Sequence, residues 1–288
     1  MSWWVIGGAA IAVALALYAF LIEPFRVRLT KVEIEIPGLP SELNGLRICH
    51  LSDTHTAGYG RLERNAALIL SELEADLCVI TGDLLNSREG IQSLTLMLDS
   101  FNPPLGIHAV LGNGDHKGFM ALQDMVDGLA ETRINLLINS HHTLTVNGHS
   151  LRIIGVDDPF KGRDEFGRAT AGLPRAGFRI LLAHAPDILA EIDGNHVGLV
   201  LAGHTHGGQV RLPFLGAVWL HSRRRIPVCD GYFDAGTLSR LLKRDMSGVR
   251  MYVSRGLGAS GITARFACPP EIALITLKAK FEPGREVV

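Results

Sequence analysis

The sequence predicts an α/β fold of two packed mixed β-sheets flanked by helices, preceded by one N-terminal transmembrane helix. Three observations carry this. Trp3 to Ile22, "WWVIGGAAIAVALALYAFLI", runs for 20 residues without a charge. Beyond it come short apolar runs that each end in a polar cluster. Between these lie segments whose apolar residues recur at helical spacing. Continuous apolar strands separated by helical segments are the pattern of sheets buried under crossover helices.

The elements follow in chain order. At about 1.5 Å per residue the opening run matches a hydrocarbon core of about 30 Å. "MSWW" has no basic side chain, and Glu23-Pro24 follows directly where a cleavage site would sit, so residues 1–25 read as an uncleaved anchor. Arg26, Arg28 and Lys31 crowd its C-terminal flank, which predicts a single-pass membrane protein with its catalytic domain in the cytoplasm. A cleaved signal or an outward-facing domain is the alternative. "KVEIEI" alternates as a strand does and ends at Pro37; residues 26–45 are expected to form a connector, and 46–288 one catalytic domain. Within that domain "LRICHLSD", "DLCVITGD", "IHAVLGNGD", "RILLAHAPD" and "VGLVLAGHTHGG" are the expected strands, with "LERNAALILSELEA" and "FMALQDMVDGLAE" as helices between them. In "TLTVNGHSLRIIGV" an Asn-Gly pair between two alternating runs marks a β-hairpin. "VRMYVSRGLG" and "PPEIALITLKA" supply two further strands.

Composition narrows the partners. Lys+Arg 28 against Asp+Glu 29 leaves a net charge of -1, so no long-range field argues for nucleic acid. Cys49, Cys78, Cys229 and Cys268 have no CxxC spacing and read as small core residues.

In open α/β sheets ligands bind beyond the carboxyl ends of the strands, and this chain places its Asp, Asn and His residues there. The expected strands end in Asp53-Thr54-His55, Gly82-Asp83, Gly112-Asn113, His184 and Gly203-His204-Thr205-His206. Carboxylate, imidazole and amide oxygen suit Mn²⁺, Fe²⁺ or Zn²⁺, and the absence of Cys argues against a structural zinc. Seven ligands exceed what one ion needs, so a carboxylate shared between two ions divides them sensibly. Taken singly, each residue has a plainer explanation: Asp53 or Asp83 as a helix cap, Asn113-Gly114 as a turn, His184 as a core histidine.

The series DxH, GD, GN, a later His and GHxH resembles that of the calcineurin-like metallophosphoesterases, from about Leu46 to Ala279. "GHTHGGQ" and "SRGLGASGITARF" further resemble the membrane-associated branch with YkuE- and YaeI-type phosphodiesterases and a UDP-2,3-diacylglucosamine pyrophosphatase of lipid A synthesis. The resemblance implies two divalent cations, Mn²⁺ first, with Asp53, His55 and His206 on one, Asn113, His184 and His204 on the other, and Asp83 bridging. It also implies attack by activated water, with no protein nucleophile.

One position departs from the family. Where most members have GNH, this chain reads Gly112-Asn113-Gly114-Asp115. The missing His is thought to protonate the leaving oxygen or stabilise phosphoryl charge, help typically worth about 10²–10⁴-fold. Three readings stand: an active enzyme with a good leaving group or with His116 as substitute acid, a residue altered to slow turnover, or a metal-binding pseudoenzyme. The first requires a rate deficit that grows with leaving-group basicity and shrinks when His is restored at 114.

For substrate phosphate, Arg223, Arg224 and Arg225 of "HSRRRIP" and Arg265 are candidates, beside the plainer reading of solvated basic residues. "GTLSRLLKRDMSG" reads as a short basic amphipathic helix able to lie on an anionic leaflet. Anchor and helix together point to the bilayer as partner. The expected reaction is phosphodiester or pyrophosphate hydrolysis in a lipid or nucleotide-activated lipid precursor, UDP-2,3-diacylglucosamine first. A tethered scaffold and a phosphatase of soluble substrates are the rivals.

Overall fold

The computed structural model describes residues 3–174, 177–194, 197–218, 222–224 and 226–280. Helix α1 (Trp3–Leu21) is exposed along its length except at Tyr18 and Ala19 near its end, and it is long and apolar enough to cross a membrane. The chain turns at Glu23–Phe25, where Pro24 sits in the first positions of a short 3-10 segment, and enters β1 (Arg28–Pro37). This strand alternates exposed and buried residues, as its sequence predicts.

The next segment repeats strand and helix: β2 (Arg47–Leu51), α2 (Arg61–Ser71), β3 (Leu77–Thr81), α3 (Gly90–Leu98), β4 (Ile107–Val110), α4 (Leu122–Ala130) and β5 (Ile134–Leu136). Strands β2 to β5 pair in parallel, the geometry that crossover helices impose. A hairpin follows, β6 (Ser140–Val146) and β7 (His149–Gly155). Its turn residues Asn147 and Gly148 have φ of 51° and 81°, the left-handed pair that an Asn-Gly turn accommodates. The chain continues through α5 (Phe166–Ala169), β8 (Phe178–Leu182), β9 (Leu199–Ala202), the small hairpin β10 (Arg211–Leu212) and β11 (Gly216–Ala217), then β12 (Gly231–Phe233), α6 (Ala235–Leu242), β13 (Arg250–Val253) and β14 (Glu271–Lys280).

Two six-stranded mixed sheets result, in the orders β1-β14-β2-β3-β4-β5 and β12-β13-β9-β8-β7-β6. Ile34, Ile48 and Val79 of the first meet Ile153, Leu182 and Leu201 of the second in the inter-sheet core. Helices α2, α3 and α4 cover the outer face of the first sheet through Ala66, Leu94 and Met125. This is the predicted layering.

Two expectations need correction. The stretch 26–45, expected as a connector, is mostly β1, which pairs in parallel with β14 from Arg28↔Glu271 to Pro37↔Lys280 and so belongs to the first sheet. The basic amphipathic segment does form α6, but Leu238 is fully buried with Ile188, Val249 and Met251, and Leu241 and Leu242 pack on the same cluster. Its apolar face is spent on the second sheet and is not free for a leaflet.

One core group makes stability depend on pH. His50 in β2 is fully buried, its Nε2 2.8 Å from Thr81 Oγ1 and its ring edge-on to Tyr252. Burial, partly offset by Glu271, holds its imidazole down at about 4. The unfolded chain, titrating near 6.5, binds the extra proton first, so stability is fully present above about 6.5 and falls as pH drops toward 4, by about 3 kcal/mol. Urea midpoints at pH 7.5 and 5 should therefore differ less for His50→Gln than for the wild type.

Candidate metal centre

Strands β2, β3 and β4 in one sheet and β8, β9 and β13 in the other run so that the loops after their last residues meet. Backbone bonds extend the ladders into these loops. Asp53 N–H donates to Gly82 O at 3.0 Å and His55 N–H to Asp83 O at 2.9 Å, while Gly203 N–H donates to His184 O at 2.9 Å. The loop after β13 closes the group, with Gly258 N–H donating to Asp53 O at 2.7 Å.

The side chains converge. His206 Nε2 lies 3.3 Å from Asp53 Oδ1, His55 Nε2 3.4 Å from Asp83 Oδ2, and His184 Nε2 3.4 Å from Asp83 Oδ1. His204 Nδ1 is 3.1 Å from His184 Nε2. Asp53, His55 and His206 offer ligand atoms within 4.8 Å of one another, as do Asp53, Asp83 and His184. All six side chains are buried.

Neighbours fix their aim. Thr81 O lies 2.9 Å from His184 Nδ1 and Asn86 Oδ1 3.1 Å from His55 Nδ1, which turns each Nε2 inward. Ser52 Oγ and His204 N–H donate to Asp53 Oδ2 at 2.5 and 3.0 Å, leaving Oδ1 for the centre. The buried atoms Asp53 Oδ1, His55 Nε2 and Asn113 Oδ1 have no hydrogen-bond partner, although a buried polar atom left so costs about 1–3 kcal/mol. Such atoms, converging from carboxylate, imidazole and amide, fit divalent cations.

The backbone here is unusual. Asp53, His55, Asp83, His204 and His206 all have positive φ, between 47° and 69°, a conformation that costs about 1–3 kcal/mol for residues other than Gly. The ladders and the buried carboxylate bonds hold them there. Electrostatics follows from burial and proximity. Burial pushes Asp53 up. For Asp83 burial is outweighed by His184, His55 and the Gly114 N–H, which hold it low. For His184 burial is outweighed by Asp83 and Asp53, which push it up to about 9.

The third motif is built differently from expectation. Gly114 N–H donates to Asp83 Oδ1 at 2.5 Å. A Cβ at 114 would fall 2.8 Å from Asp83 Cγ and Oδ1, and one at Gly112 2.4 Å from Asp83 Oδ1. Position 114 thus holds a backbone donor pressed against a carboxylate, which a side chain there would have to displace. Against rescue by His, Gly114→Ala and Gly114→His are each expected to displace the Asp83 carboxylate and lower stability by about 1–3 kcal/mol. Thermal unfolding alongside turnover checks this; a gain in rate for Gly114→His would contradict it.

His116 Nε2 is 2.8 Å from Asp157 Oδ1, both side chains nearly buried. Arg224 is engaged by Glu191 Oε1 at 2.6 Å and by Asp187, which receives its N–H. Arg223 is exposed near Gly162, and Arg225 lies outside the described residues. Arg265 does not fit a substrate role: it is fully buried and donates to the carbonyls of Cys268, Arg255, Gly256 and Gly258.

Sequence reasoning missed Ser52, Thr81, Asn86, Asp115 and Phe160. Asp115 accepts from the N–H groups of Gly112, Leu84 and Leu85, tying the loops after β3 and β4 together. Burial, with Asp83 nearby, pushes it up to about 7. The Phe160 ring packs 4.4 Å from that of His204. Asp115 stood beside the quoted motif; Phe160 had no signal at all.

A cavity of about 310 Å³ joins the centre to the end of α1. His55 and Asn86 form part of its wall, and Phe20, Pro24, Phe25 and Leu62 supply apolar surface.

Residues 46–208 match the calcineurin-like phosphoesterase family. The uncharacterized metallophosphoesterase YkuE of Bacillus subtilis (strain 168) is 30% identical, covering 91% of this chain and 89% of that protein. A transmembrane protein with metallophosphoesterase domain from Danio rerio is 31% identical over 93% of this chain and 61% of its own length. The UDP-2,3-diacylglucosamine pyrophosphatase LpxG of Chlamydia trachomatis is 26% identical, covering 91% and 92% respectively. The family binds two divalent metals, and the candidate ligand groups for them are present. Motif order, convergent strand ends and these relatives agree: the chain belongs to the calcineurin-like phosphoesterases.

Proposed function

We propose that this hydrolase cleaves a phosphodiester or pyrophosphate bond in a membrane lipid or nucleotide-activated lipid precursor, with UDP-2,3-diacylglucosamine the leading candidate. The observation that carries the lipid assignment is the cavity between His55 and the end of α1, because its Phe20, Pro24 and Phe25 wall belongs to the anchor's exit. An acyl chain leaving the bilayer beside α1 would meet apolar surface that ends at a metal ligand. The likeness to LpxG supports the same class.

In this reading Asp53, His55 and His206 hold one cation, Asn113, His184 and His204 the other, and Asp83 both, with Mn²⁺ the first choice. When bound, two such cations polarise a phosphoryl group and activate water. The chain's own residues orient and exclude. Thr81 and Asn86 aim the imidazoles, and the Phe160 ring covers His204. His116, whose Nε2 lies 2.8 Å from Asp157 Oδ1, is the candidate acid for the leaving oxygen. Arg223 remains the candidate for substrate phosphate. Helix α1 spans the membrane once, with Arg26, Arg28 and Lys31 keeping the domain on the cytoplasmic side.

The test uses the full chain in detergent with Mn²⁺, assayed on UDP-2,3-diacylglucosamine, bis-p-nitrophenyl phosphate and a p-nitrophenyl monoester. The expected result is the highest kcat/KM on the UDP-lipid. Cleavage of the soluble esters alone would overturn the lipid assignment, and no turnover on any would overturn the enzyme reading.

A further inference from the structure

Large apolar side chains exposed along α1 are explained by a bilayer. The β10–β11 hairpin is not so explained. Its turn and flanks expose Leu212, Phe214, Leu215 and Val218, with Phe214 fully exposed and Leu215 79% exposed. A contiguous apolar patch of this kind on a soluble face marks an interaction site. Phe214 moreover has φ of 67°, which a bulky residue rarely adopts in a turn free to choose Gly.

The base of the hairpin is tied to the anchor. Arg211 N–H donates to Phe266 O at 2.9 Å, and Val210 bridges Phe266. The Phe266 ring stands edge-on to Tyr18 of α1 at 6.4 Å, and Arg265 N–H donates to Ala19 O at 2.9 Å. The Gln209 side chain donates to Ile262 O, which places a further exposed apolar residue, Ile262, beside the hairpin base. From Arg211 to Phe214 is three residues, a reach of about 10 Å at roughly 3.3 Å each. The interfacial layer on each side of a hydrocarbon core is roughly 5–8 Å thick.

We propose that the 211–218 hairpin is a second membrane contact, its Phe214-Leu215 tip entering the leaflet that α1 leaves. The occupant is the bilayer because the hairpin base joins, through the half-buried Phe266 ring against Tyr18 and the Arg265 backbone N–H on Ala19 O, the last turn of the spanning helix. The hairpin follows His206 by only a few residues, so its insertion holds the mouth of the metal centre against the headgroups. This rests on α1 as a membrane span and not on the identity of the substrate.

Bimane is attached to Leu215→Cys in the full chain carrying Cys229→Ser, reconstituted in phosphatidylethanolamine/phosphatidylglycerol vesicles with doxyl-labelled lipid as quencher. Ile22→Cys at the anchor's exit and Ser150→Cys, exposed at the opposite end of the second sheet, are the comparison sites. The expected result is a loss of fluorescence at 215 comparable with that at 22 and absent at 150. Quenching at 22 without quenching at 215 overturns the proposal while leaving the anchor and the substrate assignment standing. No quenching at either site overturns the membrane reading itself. A concentration-dependent disulfide dimer through Cys at 215 that escapes the lipid quencher overturns it in favour of self-association.

Discussion

Asp83→Asn is expected to lower kcat/KM by about 10⁴-fold or more, the scale seen when a member of a catalytic unit is removed. Asp83 lies 3.4 Å from both His55 and His184, which the proposed reading assigns to different cations. Among the seven candidate ligands only Asp53 and Asp83 are anionic. Losing one leaves a single carboxylate to balance two divalent cations, and the affinity of both ions should fall. The fold should survive, since Asn retains an oxygen for the Gly114 N–H. Metal content measured with turnover on bis-p-nitrophenyl phosphate checks this. Full metal occupancy with activity within tenfold of wild type would show that Asp83 does not bridge.

Arg265→Met should be the most destabilising single change outside the hydrophobic core. Its guanidinium donates to the carbonyls of Cys268 at 3.0 Å, Arg255 at 3.0 Å and Gly256 at 3.1 Å, and to Gly258. These carbonyls belong to the turns that pack against Asp53, where a Cβ on Gly256 would fall 2.8 Å from the Asp53 Cβ. A Met side chain fills the space but satisfies none of them. Breaking a buried charged network of this kind costs about 3–5 kcal/mol. At roughly 2–4 °C per kcal/mol for a domain of this size, the Tm should fall by about 10 °C. Arg265→Lys should rescue little, because one ammonium cannot span four carbonyls. A residue that bound substrate phosphate would behave otherwise, raising KM at unchanged Tm. Thermal unfolding followed by circular dichroism separates the two.

The legible parts of the fold were those whose signal is local. The five apolar runs ending in Asp, Asn or His are strands because burial on both faces leaves no room for alternation, and Asn147-Gly148 marks its turn by chemistry alone. The candidate-ligand series was readable because strand ends recur with polar residues at fixed offsets. Long-range partnership was not readable. "KVEIEI" states that β1 is a half-exposed strand but not that β14 lies beside it. The Leu face of α6 reads equally well against a leaflet or a sheet, and only the neighbouring Val249 and Met251 decide. Arg265 carries the same letters whether it meets a phosphate or four carbonyls. The positive φ of Asp53, His55, Asp83, His204 and His206 comes from converging loops, and no propensity of Asp or His announces it. Gly114 was visible as a departure, but what it accommodates, the Asp83 carboxylate, is distant in sequence.

The pairing of β1 with β14 has a consequence for synthesis. Arg28 stands opposite Glu271, so β1 leaves the ribosome close behind the apolar α1 and long before its partner exists. Pairing across so long an intervening chain is slow to nucleate, because loop closure must precede any gain from contact. β1 is the terminal strand of its sheet, so β14 covers one of its edges and leaves the other open; until then both are open, and strand edges of that kind recruit other strands. The charged residues Lys31, Glu33 and Glu35 along it act as guards during that wait. Stalling translation before Glu271 would leave an intermediate with one sheet incomplete, and replacing those charges with Val should turn that intermediate into an aggregate.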